Sequence, residues 1–406
     1  MQRRITSHRP LRLSTGLRAA AVLGAVALLA AGCSADSGGS GGDSAGGEVP
    51  LTYMADDGSC AAGPREGIDF ESAQALVETF EEPATAILAT EPLKEPIDPS
   101  TTAVYLNNGT PIAALFQAGL QAASDAAGIQ FVNVDTGTDA QSINSALNSV
   151  VEMQPDIVFD QSVDARFFQD QLAQLEEQGA AIVYGGQLNA EEFGLRDSLG
   201  GAGSIEVNSQ VLANAAISLT CGTATEFVMY SIPEIPASEI QNEAVPAALA
   251  ELCPECTLRI VDISIADPSP ADKIVSDLQA HPETQFFISL ADQYQIGLDE
   301  KAQLAGLTNA LGVGQSSLPQ NIQQIADGTE VAGYVVDFNM FMWLQVDEGL
   351  RAMQGMEVPY LDGDWESAAR AVSHIVTIRN ASDYLTPAGY VALEGFEDQF
   401  LELWGK

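Results

Sequence analysis

The chain has 406 residues, 16 of them basic and 56 acidic, for a formal charge of −40. Four lysines (Lys94, Lys273, Lys301, Lys406) and scattered arginines exclude a nucleic-acid binder, which depends on clustered Lys and Arg, and they disfavour anionic ligands. The length suffices for two lobes with separate cores, and the acidity reads as a solvated, aggregation-resistant exterior.

The chain opens with a basic leader (Arg3, Arg4, Arg9, Arg12, Arg18) and an apolar run over 19–31. That run is too short to span a bilayer and has the length of a secretory h-region. It ends in Ala30-Ala31-Gly32-Cys33, which resembles a bacterial lipobox, with Ala30 where Leu is usual. Residues 1–32 are therefore expected to be a lipoprotein signal peptide, with Cys33 the lipidated residue. Residues 33–50, rich in Gly, Ser and Asp, read as a flexible tether. The expected location is extracytoplasmic, on the outer face of the cell membrane. No later stretch is apolar enough to span a bilayer. With Cys33 lipidated, Cys60, Cys221, Cys253 and Cys256 remain, an even number that suggests disulfides in an exported chain. Their three possible pairings stay open. The Cys253–Cys256 spacing also suits redox or zinc chemistry, but no second such pair and no nearby His supports a metal.

Residues 51–100 read as an extension on the outside of a lobe, pinned by Cys60, with a helix over 69–82 and then proline-interrupted chain. Strand–helix units follow. A strand over 103–106 leads to a helix capped by Thr110, with Ile112, Leu115, Phe116, Leu120 and Ala123 on one face and Gly128 at its end. Strands follow over 129–134, 156–159 and 180–184. The helices between them carry Ile143, Leu147 and Val150, then Phe168, Leu172 and Leu175. Strands alternating with helices predict βαβ crossovers and a parallel sheet.

The glycine-rich stretch 191–204 reads as a crossover into a second run of the same kind. Helices are expected over 209–219, 237–252, 271–279, 295–305 and 338–353. Strands are expected over 226–230, 258–263, 285–290, 310–313 and 331–336. A tail strand over 375–378 and a helix over 388–404 complete the chain.

Several local patterns together resemble the type I periplasmic binding proteins, specifically the ribose-binding-like group of sugar-binding lipoproteins that serve ABC importers. They are Val104-Tyr105-Leu106-Asn107-Asn108 with Phe116-Gln117-Ala118-Gly119, Asp135 with Gln141 and Ile143, Pro155-Asp156-Ile157-Val158, and Gln178-Gly179-Ala180-Ala181-Ile182-Val183. Ala291-Asp292-Gln293-Tyr294-Gln295-Ile296-Gly297, Leu311-Gly312-Val313-Gly314 and Ile325-Ala326-Asp327-Gly328 extend the likeness across 101–356. The resemblance implies an α/β fold of two lobes, each a parallel sheet flanked by helices, joined by three crossovers. Lobe 1 would be 101–203 with 336–356, and lobe 2 would be 204–335 with part of 357–406. A solute held between the lobes would be delivered to an ABC permease by a monomer.

The departures bear on the ligand. Where sugar binders of this group carry an Asp-Arg pair, this chain has Gly185-Gly186-Gln187. Ala291 replaces an Asn and leaves Asp292, Gly314 replaces an Asp beside Gln315, and Asp337 stands where a Gln is usual. An unpartnered buried hydroxyl costs about 1–3 kcal/mol, and glycines in place of anchors are expected to leave volume. The family favours a sugar or polyol; the alternatives are a bulkier, less polar solute (aromatic, nucleoside or terpenoid-like) or the ligand sensor of a signalling receptor. The candidate ligand-binding residues are Asn107, Asn108, Asp160, Gln161, Gln187, Asp292, Gln293, Gln315, Asp337 and Phe338. Asn107, Asn108, Asp160, Gln161 and Asp292 also have purely local readings as turn or cap residues. No phosphate-binding loop, nucleophile elbow or HExxH zinc motif is present, so no enzyme, cofactor or metal is expected.

Overall fold

The computed structural model describes residues 49–406 except 162, 186–189, 362 and 387–388. The expected signal peptide, Cys33, nearly all of the tether, and Gln187 lie outside the described residues. The elements in order are α1 (Phe70–Phe80), β1 (Thr102–Asn107), α2 (Pro111–Ala127), β2 (Gln130–Asp135), α3 (Ala140–Met153), β3 (Ile157–Asp160), α4 (Gln169–Gln178) and β4 (Ala181–Tyr184). Then come α5 (Ala202–Leu219), β5 (Glu226–Ser231), α6 (Ala237–Leu252), β6 (Thr257–Asp262), α7 (Pro270–Ala280), β7 (Phe286–Ser289), α8 (Leu298–Ala305) and β8 (Gly312–Gln315). The last are α9 (Pro319–Ala326), β9 (Ala332–Val336), α10 (Phe338–Met353), α11 (Trp365–Val372), β10 (Ser373–Thr377) and α12 (Phe396–Leu403).

The strands form two sheets. Lobe 1 has the order β2-β1-β3-β4, all parallel. Lobe 2 has the order β10-β9-β8-β7-β5-β6, parallel except for β10, which runs antiparallel to β9. Period-2 alternation sorts β1 between two cores. Ala103 and Tyr105 face the core under α2 and α10, and Val104 and Leu106 face the core under α3 and α4. In lobe 2, Phe227, Met229, Phe286 and Ile288 pack in one core with α5, α6 and α1.

Several expected boundaries are corrected. Helix α5 starts at Ala202, not 209. The Asp197 carboxylate accepts from Ala202 N (3.0 Å) and Gly203 N (2.9 Å), and Gly203 lies so close to Trp365 that a Cβ would overlap the indole, 2.5 Å from its Cδ1. A cap and a close approach, not a break, explain those glycines. Helix α8 begins at Leu298, after a 3-10 turn over Asp292–Gln295, rather than at 295. β8 falls at 312–315 rather than 310–313, and α12 spans only Phe396–Leu403 of the expected 388–404, starting after Gly395 at φ 71°. Leu115, expected on the buried face of α2, is 45% exposed; that face is built from Ala113, Phe116, Leu120, Ala123 and Ala127.

Two disulfides form, Cys60–Cys221 and Cys253–Cys256. The first pins the extension to the end of α5. The extension does not sit on one lobe, however. Its helix α1 packs on α5 in lobe 2, while Ile87 and Ala89 enter the lobe 1 core.

Candidate ligand cleft

In open parallel sheets, ligands bind beyond the carboxyl ends of the strands. Here those ends border one hinge. The first crossover leaves the carboxyl end of β4, and β9 passes directly through Asp337 into α10 of lobe 1. Phe338 meets Phe116 in the first turns of α2, just past β1, at a ring separation of 5.5 Å. Arg166, beyond β3, also feels the field of Glu239 in the first turn of α6, beyond β5.

The expected contact residues on lobe 1 are mostly committed to their neighbours. Asn107 is 6% exposed. Its Nδ2 donates to Gln117 Oε1 and Asn133 Oδ1 (both 3.0 Å), and its Oδ1 accepts from Gly109 N (2.8 Å). Asn108 is half-buried; its Oδ1 accepts from Thr110 N (3.1 Å) and Thr110 Oγ1 (2.8 Å), and no described residue bonds its Nδ2. Asp160 is buried and accepts from Val163 N (2.8 Å). Gln161 Nε2 donates to Gln345 Oε1 (2.8 Å), and Gln345 Nε2 donates to Leu199 O (2.7 Å). This chain ties β3, α10 and the first crossover together.

Lobe 2 shows the same economy. Asp292 is fully buried and accepts from Gln295 Nε2 (2.5 Å). Burial raises its pKa, and burial raises that of Glu330 further, helped by the charge of Asp292. Asp292 Oδ2 and Glu330 Oε1 are each buried without a donor among the described residues. Gln293 Nε2 donates to Ser316 O (2.5 Å), and Gln315 Oε1 accepts from Gln241. Asp337 caps α10, accepting from Asn339 N and Met340 N (both 3.0 Å) and from Ala392 N in the tail (2.9 Å); burial raises its pKa. Phe338 is half-buried, and the adjacent Asn339 is exposed.

The expectation that glycines leave volume is corrected. A Cβ on Gly185 would meet Gln161 Oε1 at 2.6 Å and Leu199 O at 2.9 Å. A Cβ on Gly314 would overlap the Asp292 carboxylate and stand 2.7 Å from its Cα. Gln161 and Asp292 fill the space that larger residues at 185 and 314 would occupy.

Sequence reasoning missed Gln117, Asn133, Gln241, Glu330 and Gln345. The legible signal was Gln345, a polar residue between Leu344 and Val346 on a wholly buried stretch of α10. Arg166 is held by Asp164 (2.8 and 2.5 Å), so it is committed rather than poised for an anion. Among the described residues no group of three or more His, Cys, Asp or Glu is placed to hold a metal, and no helix is long and apolar enough to cross a membrane. A hollow of about 220 Å³ lies at the opposite, amino-terminal end of lobe 2, lined by Glu226, Thr257, Arg259 and Thr284 among others. Its arginine is taken by Asp277 (2.9 Å, bidentate).

No protein-family model matches the sequence, and no curated protein matches it. Solved structures do. A 5-methylthioribose transporter solute-binding protein from Thermotoga lettingae, in complex with 5-methylthioribose, superposes with a TM-score of 0.59 at 10% identity, over 77% of this chain and 99% of that one. A carbohydrate transporter from Acidothermus cellulolyticus, in complex with myo-inositol, gives 0.58 at 15% identity over 70% and 97%. A putative LacI transcriptional regulator from Bacteroides fragilis gives 0.54 at 16% identity over 70% and 99%. The shared feature is the two-lobed type I periplasmic binding protein fold, and this chain has that fold.

Proposed function

We propose that the chain is an extracytoplasmic receptor that captures a small neutral solute between its lobes and presents it to an ABC importer. The observation that carries this is the rim. The carboxyl ends of two parallel sheets meet at a hinge, and the candidate contact residues there that keep an uncommitted polar side are amides: Asn108, Asn339 and one side each of Gln293 and Gln315, while the nearby Arg166 is paired with Asp164. Asp160, Asp292 and Asp337 are buried beneath that rim. Amides donate and accept without charge, which suits hydroxyls. The sugar and polyol ligands named for the structural neighbours support the same class. Lipidation of Cys33 would hold the receptor at the outer face of the membrane, and Cys33→Ser should abolish incorporation of labelled palmitate into the chain.

A second reading, a less hydroxylated solute, is favoured by Asn107, Gln161 and Gln315 spending hydrogen bonds on neighbours. A thermal-shift panel of ribose, myo-inositol, glycerol, nucleosides and aromatic acids separates the two, because a ligand that binds only the folded state raises Tm by mass action. A rise with polyols alone supports the proposal. A rise with aromatic compounds alone overturns the polyol class, and no rise with any member overturns small-solute capture of these classes.

A further inference from the structure

Hinged two-lobe receptors move because only short crossover segments join the lobes. This chain adds two passages to its three crossovers, and the two added passages bind each other. The extension is seated on lobe 2 first. Thr52 N donates to Thr223 Oγ1 and Tyr53 Oη to Gln285 O (both 2.8 Å), Cys60 is bonded to Cys221, and Ala73, Val77 and Phe80 are buried with α5. It then passes to lobe 1. Leu93 N donates to Leu403 O (2.9 Å), Arg351 donates to Glu91 O (2.6 Å), and Gln354 exchanges two bonds with the backbone of Glu95 (3.0 and 2.9 Å).

The tail makes the same journey. From β10 in lobe 2 it runs along α9 and reaches the hinge, where Ala392 N donates to Asp337. It ends as α12 on α10 of lobe 1. There Trp404 stacks on Trp343 at 5.4 Å and donates to Asp347 Oδ1 (2.9 Å). Asp347 also holds Arg351 (2.6 Å), the residue that holds Glu91. On the lobe 2 side, Arg379 of the tail pairs with Glu81 of the extension, and Arg370 at the end of α11 donates to Thr79 O (3.2 Å). Extension and tail are thus cross-linked at both ends of the span, and α11, on the passage from α10 back to β10, joins them at the lobe 2 end. Ile322, Val335 and Val376 of lobe 2 share one continuous core with Leu120, Met342 and Trp404 on the lobe 1 side.

We infer that the extension and tail form a strap that holds the lobes at a nearly fixed angle, so that solute exchange proceeds by a small opening of the cleft rather than a wide swing. Opening the lobes by a wide angle requires stripping buried side chains or backbone bonds from one end of the strap. Bending three crossovers would require neither.

The test uses the full chain with spin labels carried by unnatural amino acids in place of Met153 and Leu304, exposed on α3 and α8 in the two lobes. Pulsed electron paramagnetic resonance reads the distance distribution between them. A second variant carries about ten Gly/Ser residues inserted between Thr85 and Ala86, and the same again between Glu394 and Gly395; each insert adds a coil spanning roughly 17 Å. The strap predicts one narrow peak for the native chain and, in the lengthened variant, a peak broadened and displaced outward by about 5 Å or more. Two native populations separated by about 10 Å or more would overturn the inference, as would a lengthened variant indistinguishable from the native chain. Should the lengthened variant fail to fold, the native distribution alone decides. A failed solute screen leaves this result untouched, since the measurement needs no ligand.

Discussion

Gly314→Ala probes the point on which the ligand reading turned. A Cβ added there would lie 2.5 Å from the Asp292 carboxyl carbon and 2.7 Å from its Cα, inside the 3.0 Å that real Cβ contacts keep. The Cα belongs to the backbone of the turn after β7, so rotating the side chain cannot relieve the clash. The turn must retreat by about 0.3 Å from 2.7 to 3.0 Å, and the carboxylate by more. Overpacking of this kind costs about 1–3 kcal/mol. If the displacement also breaks the bond from Gln295 to the buried carboxylate, a further 1–3 kcal/mol or so follows. For a chain of this size each kcal/mol moves Tm by roughly 1–2 °C, so differential scanning fluorimetry should show a fall of about 2 °C or more, and of about 5 °C if the bond from Gln295 is also lost. Gly63→Ala is the control: nothing lies within 4 Å of its Cβ position, and its Tm should stay within about 1 °C. An unchanged Tm for Gly314→Ala would mean that Asp292 does not fill the space over β8. The volume there would then be open, and the bulkier ligand would regain its main support.

Asn108→Asp keeps the acceptor that holds Thr110 but removes the outward-facing amide donor, so Tm should hold while affinity for a polyol falls about tenfold, roughly 1.4 kcal/mol; equal loss of both would mark a purely local role. Glu348 is buried on α10 and accepts from Ser198 (2.7 Å), and burial pushes its pKa up to about 8. Unfolded, it ionises near 4.3. Between those values the folded chain binds a proton that the unfolded chain lacks, so stability is greatest at the acid end of the window and falls as pH rises toward 8. Glu348→Gln should therefore flatten the decline of Tm between pH 5 and about 9, with Glu330 keeping a residual slope; curves parallel to the native one would refute the assignment. Trp404→Ala removes a buried ring from Trp343 and a donor from Asp347, and urea unfolding should show a loss of about 3–5 kcal/mol.

Elements whose apolar period and end signals agreed were legible in the sequence. Helices α6 and α10 fall on the expected residues, and β5 differs by one. Where a glycine served a packing contact instead of a break, as at Gly203, the pattern misled. The cleft was legible only as residue types at strand ends. What those residues bond to was not, because the partners are remote in sequence: Gln161 and Gln345 are 184 residues apart, Gln241 and Gln315 are 74 apart, and Asp337 and Ala392 are 55 apart. A local motif carries no information about a partner brought in by a crossover. The same limit applies to Gly185 and Gly314. A missing side chain reads as space in the sequence, and only the fold shows that a neighbour has taken it.

The sparse rim and the strap bear on one quantity, the free energy a solute must supply to close the cleft. In a receptor that swings widely, part of the binding energy is spent on shifting the population toward the closed form, and the apparent Kd is the intrinsic one divided by the competent fraction. A rim with few uncommitted amides has little to spend. Held near one angle, the same rim binds without that loss, because preorganisation lowers the cost of association. Lengthening both passages should therefore weaken binding of whichever polyol raises Tm most, with no change to any rim residue. If the loosened chain is competent in about one molecule in ten, titration calorimetry should read a Kd roughly tenfold higher. The two Asn108 substitution effects, on Tm and on affinity, should keep their relative size in the loosened background, since the contact itself is untouched. An unchanged Kd in a variant whose label distances have demonstrably broadened would refute the link between strap and affinity, and would require the rim to hold stronger anchors than its described amides.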